Sequence, residues 1–415
     1  MNALDVLKQR GFIEQMTHEK EIAEQLNSKT TFYIGYDPTA DSLHIGHYLT
    51  FMGMSWLQRA GHVPVVLMGG GTGMVGDPDK MDTMRPLMSL DEIDRNVECF
   101  VAQASRFIDF SEGRAIVANN ADWLRKLNYA IFIREYGIHF SVNRMLAADK
   151  YKNKFEGSGL NFFELNYQVM QAYDFLELYR RYGCVMQAGG NDQWSNIIAG
   201  VDLIRRVERK PAFGMTFTLL ARGDGEKMGK SLGGNIWLDP TKTSPYEFYQ
   251  HFRNVQDGVV RQYLALLTFL PMDEVEQLAS AQGSEINQSK EVLAYEVTKI
   301  VHGEEEATKA RNTARALFSA GKMQDAKDAP TTVITVAELA EGLTLIDLLL
   351  LADLDKSKSD ARRTITQGGL TMGGVKVLPD EAGRAMTEAD FVGGEVLLLK
   401  GKKTFRKIVL QNFVC

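Results

Sequence analysis

The sequence predicts an α/β fold whose first part is a doubly wound parallel sheet, on three observations. Thr31–Tyr36 is a β-branched and aromatic run that reads as a buried strand. The turn Asp37-Pro38-Thr39-Ala40-Asp41-Ser42 follows it and can cap a helix that begins near His44. Beyond that helix a second apolar run, Val63–Met68, leads into the glycine-rich segment 69–78. Strand, helix, strand in this order is the unit of a parallel, Rossmann-like sheet. Such sheets bind ligands beyond the carboxyl ends of their strands, where the two loops just named belong.

The remaining elements extend this frame. Residues 162–181 have the length and periodicity of a helix, and 184–190 read as another strand running into a loop. These give a sheet domain over 1–220. Amphipathic helical pattern from 243 to 319 assigns an α-helical domain to 221–320, and 321–332, rich in Lys, Asp, Ala and Gly, is a linker. A small α+β domain occupies 333–415, with helices over 345–352 and 357–367, then a strand, the turn Gly373-Gly374 and Val375-Lys376-Val377.

At 415 residues, 45% apolar and 24% charged, the chain has the composition of a globular protein of two or three domains. A net charge of −6 excludes bulk basic coating of nucleic acid, so any RNA contact must use local patches. Cys99, Cys184 and Cys415 are far apart, without Cys-x-x-Cys or neighbouring histidines, which predicts reduced thiols and no metal site. Residues 1–27 lack the features of a secretory or transit segment, and no stretch approaches a membrane span; the expectation is a cytoplasmic protein.

Two short motifs carry chemistry. His44-Ile45-Gly46-His47 sets two imidazoles three residues apart at a helix start, where unpaired N–H groups favour phosphate, and its glycine lets a flat ring approach the backbone. Alone, four such residues are as readily a chance occurrence or a metal site as a nucleotide site. About 180 residues later Lys227-Met228-Gly229-Lys230-Ser231, in a glycine-rich stretch, offers two ammonium groups able to close on a polyphosphate. An isolated Lys-x-x-Lys would be a solvated loop, but paired with the histidine motif it is not isolated.

In this order the two motifs resemble the signature pair of class I aminoacyl-tRNA synthetases, and the remainder resembles the bacterial-type tyrosyl branch. The likeness covers nearly the whole chain: residues 33–47 are similar to the first signature, and Gln171-Ala172-Tyr173-Asp174-Phe175 and Gly189-Gly190-Asn191-Asp192-Gln193-Trp194 to two pocket segments. It departs at Asn191, where serine is common, and in residues 78–86, a shorter basic loop than usual.

The resemblance implies activation of tyrosine with ATP and transfer to its tRNA. Tyr33 and Asp174 would bind the phenol hydroxyl, Asp77, Tyr167 and Gln171 the ammonium, and Gln193 the carboxylate. Tyr167, Gln171 and Asp174 fall at i, i+4 and i+7, one face of a helix. Asn120 is a further candidate near this pocket, with a plain turn at Asn119-Asn120 as the alternative. Gly35, Asp37, Gly46, Asp192 and Ser231 would serve ATP with the two motifs. Thr39, His44 and His47 would stabilise charge from one side, and Lys227 and Lys230 from the other, aided by Lys80 and Arg85. Mg²⁺ would arrive with ATP, and no tightly bound cofactor is implied.

The terminal module resembles a small RNA-binding domain of ribosomal-protein type. Lys358, Arg362 and Arg363 cluster on one helix, and Lys400, Lys402, Lys403, Arg406 and Lys407 follow the last acidic residue, Glu395, in a basic hairpin expected to touch tRNA. The family also implies a homodimer, with 129–140 as interface. Three competing readings stand beside this one. A tryptophan-specific enzyme has no use for Tyr33 and Asp174 facing a phenol; a silent RNA-binding relative has no need of His44, His47, Lys227 and Lys230; another nucleotidyltransferase has no need of the terminal module.

Overall fold

A computed structural model describes residues 2–78, 87–157, 159–220, 235–319, 331–401 and 404–411. Six strands form the first sheet: β1 (Ile13–Met16), β2 (Thr31–Tyr36), β3 (Val63–Met68), β4 (Ile116–Asn119), β5 (Met186–Gly190) and β6 (Phe213–Phe217), in the order β1-β6-β5-β2-β3-β4. All neighbours are parallel except β1, which runs antiparallel to β6 at the edge. Every residue of β3 is buried, as a strand covered on both faces requires. After β2 the chain winds outward through β3 and β4, then returns to pair β5 on the other side of β2. The switch point therefore lies between the carboxyl ends of β2 and β5.

The predicted strands 31–36 and 63–68 are found at those positions, and the helix beyond His44 spans Ile45–Arg59 with His44 as its N-cap. The long helix is Phe162–Tyr182, closed at its N-terminus by an Asn161/Glu164 capping box and at its C-terminus by Gly183 in the left-handed region. Among the described residues no helix is long and apolar enough to cross a membrane.

The chain divides into two compact units. One comprises Met1–Thr243 with Asn254–Val301, the other Ser244–Arg253 with His302–Cys415. Side-chain bonding explains why 254–301 joins the sheet. The Arg10 guanidinium is buried and donates to the carbonyls of Ala265 (2.9 Å), Thr268 (3.2 Å) and Leu270 (2.5 Å), past the end of the helix Val260–Leu267. It stacks 3.9 Å from the Trp56 ring, while the Tyr48 hydroxyl donates to Leu267 O at 2.6 Å. Arg10→Met, which keeps the stem and orphans three carbonyls, is expected to lower unfolding stability by about 3 kcal/mol. A urea midpoint unchanged from wild type would show that water replaces the guanidinium.

In the second unit, strands β7 (Thr331–Thr335), β8 (Leu370–Met372), β9 (Val375–Lys376), β10 (Glu395–Lys400) and β11 (Thr404–Gln411) form a sheet ordered β7-β11-β10-β8-β9. Helices Leu345–Leu351 and Lys358–Thr366 contribute to its core through Leu345, Leu348, Leu349, Ala361 and Ile365. The expected linker lies mainly in 320–330, outside the described residues.

Candidate active site

A cleft of about 370 Å³ opens at the switch point. Tyr33, Gly35, Asp37, Thr39, His44, Gly46, His47, Asp77, Tyr167, Gln171, Asp174, Asp192 and Gln193 all line it. Thirteen candidate residues, drawn from segments up to about 160 positions apart, thus meet in one cavity.

Its rim is built by the histidine motif. The His44 Nδ1 accepts from Gly46 N (3.0 Å), and the His47 Nδ1 accepts from His44 N (3.2 Å), a reciprocal capping arrangement. An imidazole that accepts at Nδ1 when neutral carries its proton on Nε2, so this backbone wiring leaves each ring a donor at Nε2. The rings stack at 3.9 Å. Burial, with the neighbouring His44 charge, pushes His47 well below the usual imidazole range, so it stays neutral. A Cβ on Gly46 would stand 2.9 Å from the His44 ring, so the flat ring that this glycine admits is His44 itself.

At the floor, Asp174 is buried and accepts two hydrogen bonds, from Asn120 Nδ2 to Oδ2 (2.8 Å) and from Trp123 Nε1 to Oδ1 (2.7 Å). Desolvation outweighs both and pushes its carboxyl up to about 8, with the Asp37 and Glu177 charges adding to the rise. The Tyr33 hydroxyl is buried with no hydrogen-bond partner among the described residues. Burial and the Asp174 charge hold that phenol well above its ordinary value, so it remains a donor. An unmatched hydroxyl beside a carboxylate, inside a cavity, fits a ligand bringing one donor and one acceptor.

Between floor and rim runs a polar belt. The Tyr167 hydroxyl donates to Asp37 Oδ2 (2.8 Å) and Thr72 Oγ1 to Asp37 Oδ1 (2.7 Å). Gly69 is obligatory beneath this pair, since a Cβ there would lie 2.1 Å from Asp37 Oδ1. Opposite, Gln193 Nε2 donates to Asp77 Oδ2 (2.7 Å) and Asp192 Oδ2 (2.9 Å). Carboxylates 37, 77 and 192 make the belt a site for a cationic group.

Sequence reasoning missed Trp123, Thr72 and Thr50. Trp123 and Thr72 act through Asp174 and Asp37, and Thr50, in the cleft wall, bonds the Tyr36 hydroxyl at 3.1 Å. Only the glycine-rich setting of Thr72 offered a signal. Asn120 is more than a turn, because besides Asp174 its Oδ1 accepts from Gly71 N at 2.6 Å. Asn191 is structural: its Oδ1 accepts from Gln15 Nε2 (2.7 Å) and Thr216 Oγ1 (3.0 Å), tying the loop after β5 to β1 and β6.

Lys80, Arg85, Lys227, Lys230, Ser231, Lys402 and Lys403 lie outside the described residues. Both flanks of the lysine segment are described. Leu219 and Leu220 line the cleft, and Ile236 O accepts from Ile45 N (3.0 Å) while Leu238 N donates to Leu43 O (2.9 Å).

The basic hairpin needs correction. β10 and β11 pair as expected, but Arg406 turns inward, its Nε donating to Ala352 O (2.8 Å) with Glu247 3.8 Å away. Lys400 bonds Asp355 (2.6 Å) and Lys407 pairs with Glu395. Counting acids along the sequence could not reveal partners brought in by the fold. Arg362 and Arg363 are exposed, with Arg363 bonded to Asp360 at 2.5 Å; Lys358 is 74% exposed although 2.8 Å from Asp347.

Comparison with known proteins identifies the family. Residues 24–319 match the family described as tRNA synthetases class I (W and Y), and residues 323–408 the tyrosine–tRNA ligase SYY-like C-terminal domain. The chain is 56% identical to the tyrosine–tRNA ligase of Clostridium kluyveri over 411 residues, 99% of this chain and 100% of that one. It is 56% identical over 406 residues to that of Lachnoclostridium phytofermentans, covering 97% and 98%. Among solved structures, a C-terminally truncated mitochondrial tyrosyl-tRNA synthetase of Aspergillus nidulans superposes with a TM-score of 0.69 at 28% identity, covering 76% of this chain and 94% of that one.

Proposed function

The chain belongs to the class I tRNA synthetases (W and Y) and is a tyrosine–tRNA ligase, and from that premise we propose how the cleft performs the two steps. Tyrosine enters with its phenol at the floor, where the Tyr33 hydroxyl donates to the phenol oxygen and Asp174 accepts the phenol proton. The observation that carries this reading is the buried, unpartnered Tyr33 hydroxyl in the same cavity as Asp174. The ammonium lies in the belt with Asp77, Tyr167 and Gln171, near Asp37, and Gln193 holds the carboxylate.

The tyrosine carboxylate attacks the α-phosphorus of ATP, the bond to the bridging oxygen breaks, and pyrophosphate leaves. No general base is needed, because a carboxylate is already ionised at neutral pH. Catalysis is positioning and charge stabilisation. Thr39 and the Nε2–H groups of His44 and His47 meet the growing phosphate charge. Gly35, Gly46, Asp192 and Ser231 hold the nucleotide, and Lys227 and Lys230 supply positive charge from a segment whose upstream flank lines the cleft and whose downstream flank bonds the chain on either side of His44. Mg²⁺ enters as part of the substrate, on the phosphates. A terminal ribose hydroxyl of the tRNA then attacks the carbonyl of the adenylate and AMP departs.

Lys358, Arg362 and Arg363, with Lys402 and Lys403, form the tRNA-facing surface of the terminal domain; Arg406 is left out because it is bonded internally. The exposed apolar side chains of Tyr129, Ile131, Ile138 and Val142 favour a homodimer through this region. The reading includes a cytoplasmic location, with tRNA, tyrosine and ATP as partners.

Tyrosine-dependent exchange of pyrophosphate into ATP tests this scheme. We expect exchange with tyrosine and none with phenylalanine or tryptophan, falling by roughly 10²–10³-fold in Lys230→Ala. Full exchange in that variant would remove the lysine motif from the activation step.

A further inference from the structure

Behind the cleft, on the helix Trp194–Val207, sits Asn196, with 0% of its surface exposed and its amide engaged on three sides. Its Oδ1 accepts from the Tyr151 hydroxyl (3.2 Å), and Tyr151 is itself fully buried. Its Nδ2 donates to Gln171 Oε1 (3.0 Å) and to Gln193 Oε1 (3.0 Å). Those two glutamines line the cleft; Asn196 does not.

The sense of these bonds is fixed from the carboxylate end. Asp77 and Asp192 can only accept and so take the Gln193 NH₂, the Gln193 oxygen then takes the Asn196 NH₂, and Asn196 is left with its oxygen toward the Tyr151 hydroxyl, which donates. Both glutamines must then give their oxygens to Asn196, which leaves the Gln193 NH₂ for the carboxylates of Asp77 and Asp192. In the reversed arrangement the Gln193 oxygen would face two carboxylate oxygens, an arrangement without a hydrogen to share. Two carboxylates thus settle the amides of Gln193 and Asn196, Gln171 follows, and the Tyr151 hydroxyl completes the chain as a donor.

We propose that Asn196 is a positioning residue that holds the amides of Gln171 and Gln193 in the sense needed to bind the amino-acid ammonium and carboxylate, with Tyr151 locking Asn196 in turn. The inference rests on the assignment of the cleft to tyrosine and ATP. An inward-facing Gln171 oxygen keeps a second lone pair for an ammonium, and Gln193 meets the substrate carboxylate by turning one N–H to it from Asp77 or Asp192, which a flipped Gln193, with its oxygen on that side, could not do.

Asn196→Asp is the test, because it keeps shape and replaces the NH₂ by an acceptor facing two glutamine oxygens. In pyrophosphate exchange the tyrosine KM is expected to rise about tenfold or more, with the ATP KM within about twofold of wild type. The defect should ease as pH falls from about 8 to 6, where the introduced carboxyl gains a proton and regains a donor. Tyr151→Phe removes only the lock and should raise the tyrosine KM about threefold without that pH dependence. A wild-type tyrosine KM in Asn196→Asp overturns the proposal, as does a parallel rise of both KM values at every pH, the mark of general structural damage. If Asn196→Asp does not fold, Tyr151→Phe decides alone, and an unchanged tyrosine KM there is equally fatal. Absence of exchange in the wild type would instead overturn the assignment of the cleft.

Discussion

Replacing Asp174 by asparagine is expected to lower kcat/KM for tyrosine by at least about 100-fold while leaving the ATP KM nearly unchanged, since truncating one partner of a buried charged hydrogen bond typically costs about 2–5 kcal/mol. Asn120 and Trp123 already donate N–H groups to the two Asp174 oxygens. An amide in that place must point its own NH₂ at one of those donors, and whichever way it turns the pocket loses an acceptor for the phenol proton. Selectivity against phenylalanine should fall with it, because the variant no longer favours the hydroxyl. Steady-state exchange kinetics with both amino acids checks this. A tyrosine kcat/KM within about threefold of wild type would mean that Asp174 does not meet the phenol.

The same residue gives a pH dependence whose sign is determined. Burial first, then the Asp37 and Glu177 charges, raise the Asp174 carboxyl to about 8, far above the roughly 3.9 of an unfolded chain. A carboxyl raised in the folded state favours folding fully below about pH 4, and that contribution is lost as pH climbs to about 8. Wild type should therefore lose stability relative to Asp174→Asn between those limits and run parallel to it above them. Tyrosine binding needs the ionised acceptor, so the wild-type tyrosine KM should fall from pH 6 to 8, with no such trend in the variant.

How far the sequence could anticipate this site depended on what each residue touches. The residues lining the cleft were legible, because Tyr33, Asp174 and Gln193 sit in segments that resemble those of a known family, and those segments meet in one cleft. Residues that act through another side chain were not. Nothing in the local pattern around Trp123, Thr72 or Asn196 tells that each bonds a residue 25 to 51 positions away. The parallel strands Thr31–Tyr36 and Val63–Met68 were readable as apolar runs, whereas β1 and β4, each four residues long and partly exposed, carry too little pattern. The tie of segment 254–301 to the sheet was unreadable for a related reason: Arg10 and Tyr48 hold it through backbone carbonyls, which any sequence supplies.

The histidine motif separates catalysis from folding in a way that a single substitution can test. On the proposed reading His44 has two duties: Nδ1 caps the helix Ile45–Arg59 through Gly46 N, and the ring, which lines the cleft, keeps a donor at Nε2. His44→Ala would remove both, and any loss of rate could be blamed on a frayed helix. Asparagine is among the best N-caps and can accept from the same backbone region, but it is too short to reach where Nε2–H stands. His44→Asn is therefore expected to keep the thermal midpoint within a few degrees of wild type and to lower kcat for pyrophosphate exchange by roughly 10²–10³-fold, the usual consequence of deleting one donor to a developing oxyanion. Tyrosine affinity, measured without ATP, should be unaltered, because the phenol and ammonium contacts lie at the floor and belt. His47 adds a control: held neutral well below the ordinary imidazole range, it should contribute no limb to the pH–rate profile between about 6 and 9. If His44→Asn kept full kcat, the imidazole would serve only as a cap, and the charge on the α-phosphate would have to be met by Thr39, His47 and the lysine motif alone.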